Sequence, residues 1–169
     1  SANTLEVARF LESRVPRLLF PGLPSHPQHD LAMRQMKTGG TIFSIVLDGG
    51  REQAWALLDA LEIIDISNNI GDTRSLMCHP ATTTHHSVGH EGREAMGVYE
   101  GMVRMSVGLE DPQDLIEDLD QAIDRAGRAS SAGKGGWSGG AANAVDMRAR
   151  LGSGGVIRAG IAHYNTQEE

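Results

Sequence analysis

Aromatic residues and cysteines are scarce in this sequence. Phe, Trp and Tyr make up 4% of the 169 residues, so Leu, Ile, Val, Met and Ala must fill the interior. The single cysteine, Cys78, excludes an internal disulfide and fits a reducing compartment. No apolar run approaches the roughly 20 residues of a membrane-spanning helix, and no signal peptide is visible. We therefore expect a soluble, cytoplasmic protein that does not bind a membrane.

Basic residues are also in deficit. The formal net charge of -7 at pH 7 argues against nucleic acid or an anionic membrane surface as the main partner. Glycine, by contrast, is concentrated at one end, because ten of the 21 glycines fall in residues 126–169. Such Gly- and Ser-rich chain loses much entropy on ordering and has little to bury in return. We predict one domain over residues 1–125 and a largely flexible appended tail over 126–169.

Residues 101–111 predict a strand that runs directly into a capped helix. Val103, Met105 and Val107 alternate on one face, while Arg104 lies on the other. A guanidinium in the middle of an apolar strand is costly to bury unless an anion meets it, and its planar fork suits a carboxylate or phosphate. The alternative is an edge-strand arginine whose charge simply reaches water. Asp111 is the predicted N-cap of the helix that follows.

The periodicity of the remaining chain predicts alternating helices and strands. Residues 41–48 are apolar on both faces and predict a central strand. Residues 67–80 are polar and irregular, and a loop of this kind on a rigid frame is a candidate binding segment. Further helices are predicted at 4–15, 31–36, 51–64, 90–96 and 112–125, and further strands at 17–20 and 63–66. This order predicts an α/β fold, an α+β sandwich with helices over one face of a small sheet.

Six stretches of the sequence together carry a family resemblance; they are 7–12, 21–30, 43–50, 69–76, 79–85 and 104–111. They resemble the C-terminal domain of the pyridoxal-phosphate-dependent trans-sulfuration enzymes of cysteine and methionine metabolism. The resemblance covers residues 2–125 in the family's order and spacing. The Asn-Ile-Gly-Asp run at 69–72 looks more like homoserine sulfhydrylases than like cystathionine synthases and lyases.

The resemblance implies a fold and a site. The fold would be a small, mostly antiparallel sheet with helices on one face, as in the C-terminal domain of fold type I pyridoxal enzymes. Arg104 would clamp the α-carboxylate of a small-molecule substrate with Asn69 beside it, and Gly71, Asp72 and Ser75 would line the loop around them. Two positions depart from the family pattern: Tyr99 and Val103 stand where the family usually has Gly and a Leu or Ile.

The family cofactor, pyridoxal 5'-phosphate, is held by a lysine on a large N-terminal domain that these residues do not resemble. The two lysines, Lys37 and Lys134, lie outside the family's lysine context. We therefore expect a truncated enzyme domain that binds no cofactor and catalyses no pyridoxal chemistry alone. A subunit that works with a separate cofactor-binding chain is the alternative. Loss of the large domain would uncover apolar surface, which predicts a homo-oligomer, a dimer or higher.

Two hydrolase-like patterns remain as alternatives. A Gly-Trp-Ser-Gly-Gly run would make Ser138 a nucleophile, with Asp146 and His163 following in the order of α/β-hydrolases. No buried strand is predicted before it, which argues against a nucleophile elbow. Ser131 and Lys134 match the S-x-x-K pattern of serine β-lactamases and related esterases, but no helix is predicted to present the serine. The spacing of the histidines matches no metal motif, so no metal site is expected.

Overall fold

The structure is a computed structural model, and it describes residues 2–132. Among the described helices, none is long and apolar enough to cross a membrane. Short 3-10 turns occupy Pro80–Thr82 and His86–Val88. The helices are α1 (Ala2–Glu12), α2 (His29–Gln35), α3 (Gly50–Ala60), α4 (His90–Ala95) and α5 (Pro112–Ala132). The strands are β1 (Arg17–Leu19), β2 (Ile42–Val46), β3 (Asp65–Ile66), β4 (Leu76–Cys78) and β5 (Met102–Ser106).

The strands form one sheet in the order β1-β2-β5-β4-β3. Three of the four pairings are antiparallel, and only β3 and β4 run parallel. The register places Ser44 of β2 and Cys78 of β4 on either side of Arg104. The predicted α/β class with a small, mostly antiparallel sheet is therefore confirmed, and β5 is its middle strand.

The main core lies between one face of the sheet and helices α1, α3 and α5. Helical spacing on α5 turns Leu115, Leu119 and Ala122 inward, and each is fully buried. The opposite face of the sheet carries a smaller cluster of Ala81, Val98 and Met102. The expected packing of helices on one face thus holds for α1, α3 and α5. Other fully buried members of the main core are Val7, Ala8, Leu11, Ile45, Ala54, Leu57, Met77, Met105 and Ala126.

Helix α5 begins where it was predicted and ends later. The Asp111 carboxylate accepts a hydrogen bond from the Gln113 N–H at 2.8 Å, which is the contact of an N-cap. The helix then continues past residue 125 to Ala132, because Ala126 extends its buried stripe. The boundary predicted at residue 125 therefore falls within a helix.

Three predicted elements need correction. Strand β4 lies inside the predicted loop 67–80. It was missed because its three residues, all buried, are too few to show a period. Strand β2 buries only one face: Phe43 and Ile45 are buried, whereas Ser44 and Val46 are half-exposed. Helix α3 was predicted to continue to residue 64 but ends at Ala60. The next residue adopts extended backbone with ψ 140°.

A buried carboxylate on α5 fixes the chain that leads from α3 into β3. Asp118 is 6% exposed, and its two oxygens accept hydrogen bonds from three successive backbone N–H groups at 2.8 to 3.0 Å. The donors are Glu62, Ile63 and Ile64. The segment that enters the irregular loop is thereby held at a defined place on the helix layer.

Candidate functional site

Arg104 lies in the middle of the central strand. The alternative of an edge-strand arginine is therefore wrong. Its cross-strand neighbours, Ser44 and Cys78, have small side chains. Because Val103 and Met105 point into the main core, Arg104 lies on the face opposite helices α1, α3 and α5. Its side chain is half-buried there.

The guanidinium of Arg104 has one protein partner in the part of the chain that the structure describes. Its Nη2 donates to the backbone oxygen of Asn68 at 2.7 Å. No described carboxylate lies within ion-pair distance of it, so most of its five N–H donors lack a protein acceptor. Other arginines do form ion pairs with carboxylates, namely Arg14, Arg51, Arg74, Arg93 and Arg125.

Residues 67–75, here called the site loop, include the residues predicted to surround Arg104. The loop contacts the face of the sheet that carries Arg104. Asn69 is exposed, and its N–H donates to the Ser67 hydroxyl at 3.2 Å. Gly71 has φ +75°, a left-handed conformation that favours glycine, and its N–H donates to the Ser106 hydroxyl at 3.0 Å. Asn69 and Gly71 therefore lie in a loop that contacts β5 at both Arg104 and Ser106.

Asp72 and Ser75 occupy different surroundings within the site loop. The Asp72 carboxylate is exposed, and hydrogen bonds from the Arg74 N–H and the Thr73 hydroxyl lower its pKa. Ser75 is fully buried and hydrogen-bonded to Glu110, so its hydroxyl is not available to a ligand. Ser75 thus supports the loop instead of lining an open surface.

Two participants were missed by sequence reasoning. Asn68 contributes a backbone carbonyl, for which no residue type gives a signal. Glu110 accepts from both the N–H and the hydroxyl of Ser75. A glutamate at the end of the Arg-Met-Ser-Val-Gly-Leu run was the available signal.

Cys78 and His79 are structural residues. Cys78 is buried, and burial raises the pKa of its thiol against smaller opposing effects of Arg104 and a hydrogen bond with Thr83. Burial also lowers the pKa of His79, whose Nε2 hydrogen-bonds to the Glu100 backbone oxygen at 2.8 Å. Its Nδ1 hydrogen-bonds to the Thr82 hydroxyl at 2.8 Å. Both ring nitrogens of His79 are therefore occupied.

A charged cluster braces the chain before β5. The Glu100 carboxylate contacts Arg51 at 2.6 Å and Arg93 at 2.7 Å. Burial would raise the pKa of Glu100, but the hydrogen bonds from the two guanidinium groups outweigh it and lower that pKa. Each arginine here has its anion, and the cluster joins α3, α4 and the segment before β5. Arg93 Nε is buried without a hydrogen-bond partner among the described residues.

The remaining candidates lie away from this face or outside the described residues. Lys37 is exposed beyond the end of α2. Ser131 belongs to the last turn of α5, so a helix does carry it, contrary to expectation, but its side chain is not described. Lys134, Ser138, Asp146 and His163 all lie outside residues 2–132. Within that range, no group of three His, Cys, Asp or Glu side chains is placed to hold a metal ion.

Comparison with known proteins gives close relatives. The chain is 50% identical over 129 residues to the O-succinylhomoserine sulfhydrylase of Mycobacterium tuberculosis, covering 73% of this chain and 32% of that enzyme. It is 44% identical over 126 residues to the cystathionine gamma-lyase of Mus musculus, with 73% and 32% coverage. The chain thus spans about a third of the length of the curated relatives it matches.

The fold is shared as well. The cystathionine gamma synthase of Xanthomonas oryzae pv. oryzae, solved in complex with cystathionine, superposes with a TM-score of 0.72 at 36% identity. The superposition covers 75% of this chain and 33% of that one. A family model described as "Cys/Met metabolism PLP-dependent enzyme" matches residues 1–124. The resemblance found in the sequence is therefore confirmed, and the chain belongs to the Cys/Met metabolism PLP-dependent enzyme family.

Proposed function

We propose that residues 1–125 form the substrate-carboxylate side of the active site of an enzyme that acts on sulfur-containing amino acids. Arg104 is the carboxylate anchor in this proposal. The observation that supports it is a half-buried guanidinium on the central strand with no carboxylate partner among residues 2–132. A charge of that kind is costly unless an anion meets it, and the described part of the fold supplies none.

The geometry around Arg104 suits a planar, bidentate contact. The Asn68 carbonyl holds one Nη group at 2.7 Å and orients the fork, and the cross-strand neighbours of Arg104, Ser44 and Cys78, have small side chains. Asn69 is exposed next to this carbonyl, and in this proposal its amide contacts the same ligand. A substrate held by its carboxylate is thereby oriented before any chemistry begins.

The described residues do not fit the family cofactor by themselves. Pyridoxal phosphate supplies an electron sink when it is bound through a lysine. The only lysine within residues 2–132 is Lys37, which is exposed beyond the end of α2. We propose that the lysine comes from another part of a larger protein or from a separate chain, and that residues 2–132 alone bind no cofactor.

Exposed apolar side chains around the site support association with more protein. Ile70 is 56% exposed and Leu109 is 78% exposed, and Ile42, across the sheet from Ser106, is 37% exposed. Patches of this kind mark interaction surfaces. We propose a cytoplasmic homo-oligomer, and light scattering on the purified chain tests this: a dimer or larger species is expected, and a monomer contradicts it.

The carboxylate proposal is tested by nuclear magnetic resonance on the full chain labelled with 15N at arginine. L-methionine is the first ligand, and methioninol, which has an alcohol in place of the carboxylate, is the matched second ligand. The Arg104 Nε resonance is expected to move with L-methionine at about millimolar concentration. Methioninol should leave it unchanged.

The control for this titration is a second arginine. Arg9 is exposed on α1 and has no ion pair within the described residues, so its resonance reports non-specific anion binding. Arg104→Gln is expected to abolish binding, whereas Arg9→Gln is expected to preserve it. Equal responses of Arg104 to L-methionine and methioninol, or no response to either, contradict the proposal.

A further inference from the structure

The Glu110 carboxylate joins the corner between β5 and α5 to the site loop through two contacts with one residue. Glu110 Oε1 accepts from the Ser75 N–H at 2.6 Å, and Oε2 accepts from the Ser75 hydroxyl at 2.8 Å. The Gly108 N–H donates to the same hydroxyl oxygen at 2.9 Å. Ser75 is fully buried. Its hydroxyl is therefore fixed both as a donor and as an acceptor.

Further hydrogen bonds extend this junction on both sides. The Leu109 N–H donates to the Thr73 backbone oxygen at 2.8 Å, and Asn3 Nδ2 donates to the Glu110 backbone oxygen at 2.8 Å. At Gly108 an added Cβ would lie 2.4 Å from the Thr73 oxygen, so the two backbones approach as closely as only glycine permits. The second half of the site loop is thus attached to the corner that follows β5.

The first half of the site loop is attached more lightly. Residues 68–74 are exposed. At its start, the Ser67 N–H donates to the Met77 backbone oxygen at 3.0 Å. The Asn68 carbonyl then meets Arg104, and the Gly71 N–H meets the Ser106 hydroxyl. The Asn68 carbonyl thus lies between the backbone contact of Ser67 and the attachment of Ser75 at the far end of the loop.

We infer that Glu110 is a positioning residue for the carboxylate site. It holds the site loop against β5, and so places the Asn68 carbonyl that orients the guanidinium of Arg104. This inference rests on the proposed function of Arg104. It assigns to Glu110 a role exerted through Ser75 and the loop backbone, with no contact between Glu110 and the ligand.

The charge of Glu110 supports this role. Burial would raise its pKa, but hydrogen bonds from Ser75 and its own backbone, together with the charge of Arg74, outweigh burial and lower that pKa. The carboxylate is thus ionised at neutral pH and accepts at both oxygens. A glutamine in its place has one acceptor oxygen, because its NH2 group only donates. Glu110→Gln should therefore leave one of the two Ser75 donors without its acceptor while it preserves shape.

The test uses the full chain labelled with 15N at arginine. In the absence of ligand, Glu110→Gln is expected to shift the Arg104 Nε resonance. On titration it should raise the Kd for L-methionine about tenfold, because a loop that must be ordered on binding weakens affinity by about that factor. Ser75→Ala should act in the same direction, and the double variant should be no weaker than the weaker single variant. Should Glu110→Gln fail to fold, Ser75→Ala carries the test.

The control is Glu12→Gln, the same chemical change at an exposed glutamate at the end of α1. It should alter neither the Arg104 resonance nor the Kd. Unchanged values of both in Glu110→Gln overturn the inference, while the response of wild-type Arg104 to L-methionine decides the proposed function separately. If wild-type Arg104 does not respond to L-methionine, that function fails, and the ligand-free resonance still decides whether Glu110 positions Arg104.

Discussion

The two faces of the sheet differ in what their side chains do, although they are built from alternate residues of the same strands. On one face Ile45, Met77 and Met105 are fully buried beneath α1, α3 and α5. On the other face, Ser44, Arg104 and Cys78 form a row across the three middle strands, with a guanidinium at its centre. The comparison separates residues that stabilise the fold from those available to bind.

Arginine pairing sharpens the same contrast. Glu100, just before β5, is held by Arg51 and Arg93, and these contacts join elements of the fold. Arg104, four residues later and within β5, has only a backbone carbonyl within the described residues. An arginine that stabilises the fold has its anion supplied by the fold. We infer that a half-buried arginine without one, on the middle strand of the sheet, is reserved for a ligand.

The largest expected effect is on the helix-covered face. Leu57 is fully buried in α3, so Leu57→Ala should lower the free energy of unfolding by about 2–5 kcal/mol. Leu109→Ala removes the same atoms from a side chain that is 78% exposed. It should change the free energy of unfolding by less than about 0.5 kcal/mol. Urea unfolding measures both. Similar losses for the two variants would break the contrast between the faces.

The next effect is at Asp118. Asp118→Asn removes one acceptor oxygen from a carboxylate that receives three backbone N–H groups, and should cost about 1.5–3 kcal/mol. Asp48→Asn is the matched control, because the Asp48 carboxylate is exposed and has no hydrogen-bond or ion-pair partner within residues 2–132. Chemical denaturation of both variants provides the comparison. An Asp118 variant as stable as the control would show that the backbone donors find water instead.

A smaller effect is expected in acid. The pKa of Glu100 is lower in the folded chain than its ordinary value of 4.5, so the unfolded chain binds its proton more readily. Its contribution is complete above about pH 4.5 and is lost as pH falls through the lowered folded pKa. Urea unfolding between pH 6 and 3 should show a shallower loss of stability in Glu100→Gln than in wild type. Parallel pH profiles would argue against this assignment.

The smallest expected effect on stability is at Arg104. Arg104→Gln should lower the free energy of unfolding by no more than about 1 kcal/mol. The variant can also be more stable than wild type, because it removes a charge that has no anion in the described fold. Arg93→Gln, which removes an arginine that is mostly buried and paired with Glu100, should cost more. Thermal unfolding of the two variants tests this order. A larger loss at Arg104 would make it a structural residue.

Much of this architecture followed from periodicity. The 3.6-residue pattern on α5 and the alternation on β5 predicted both elements and the face on which Arg104 lies. Strand β4 was not predicted, because three buried residues show no period. The position of β5 in the sheet was not predicted either, since strand order depends on pairings between distant segments. Arg104 alone could not distinguish an edge from a centre.

The sequence predicted Arg104 as the charged residue of the site, but it did not predict the residues that hold Arg104 and the site loop in place. An arginine on an apolar strand is visible in the sequence, whereas the Asn68 carbonyl that orients it is a backbone group. Ser75 was expected to line the site, and the structure instead buries it against Glu110. Side chains that act by holding a loop depend on tertiary contacts, so residue type gives no indication of them.

The most direct measurement is catalytic. Residues 2–125 replace the matching third of the Mycobacterium tuberculosis O-succinylhomoserine sulfhydrylase, and kcat/KM is measured for the chimera and for its Arg104→Gln and Arg9→Gln variants. Arg104→Gln should lower kcat/KM by about 100-fold or more, as expected when one partner of a buried charge pair is removed, with the cofactor absorbance retained. Arg9→Gln should match the parent chimera. An active chimera whose kcat/KM survives Arg104→Gln would contradict the assignment of Arg104 as the carboxylate anchor.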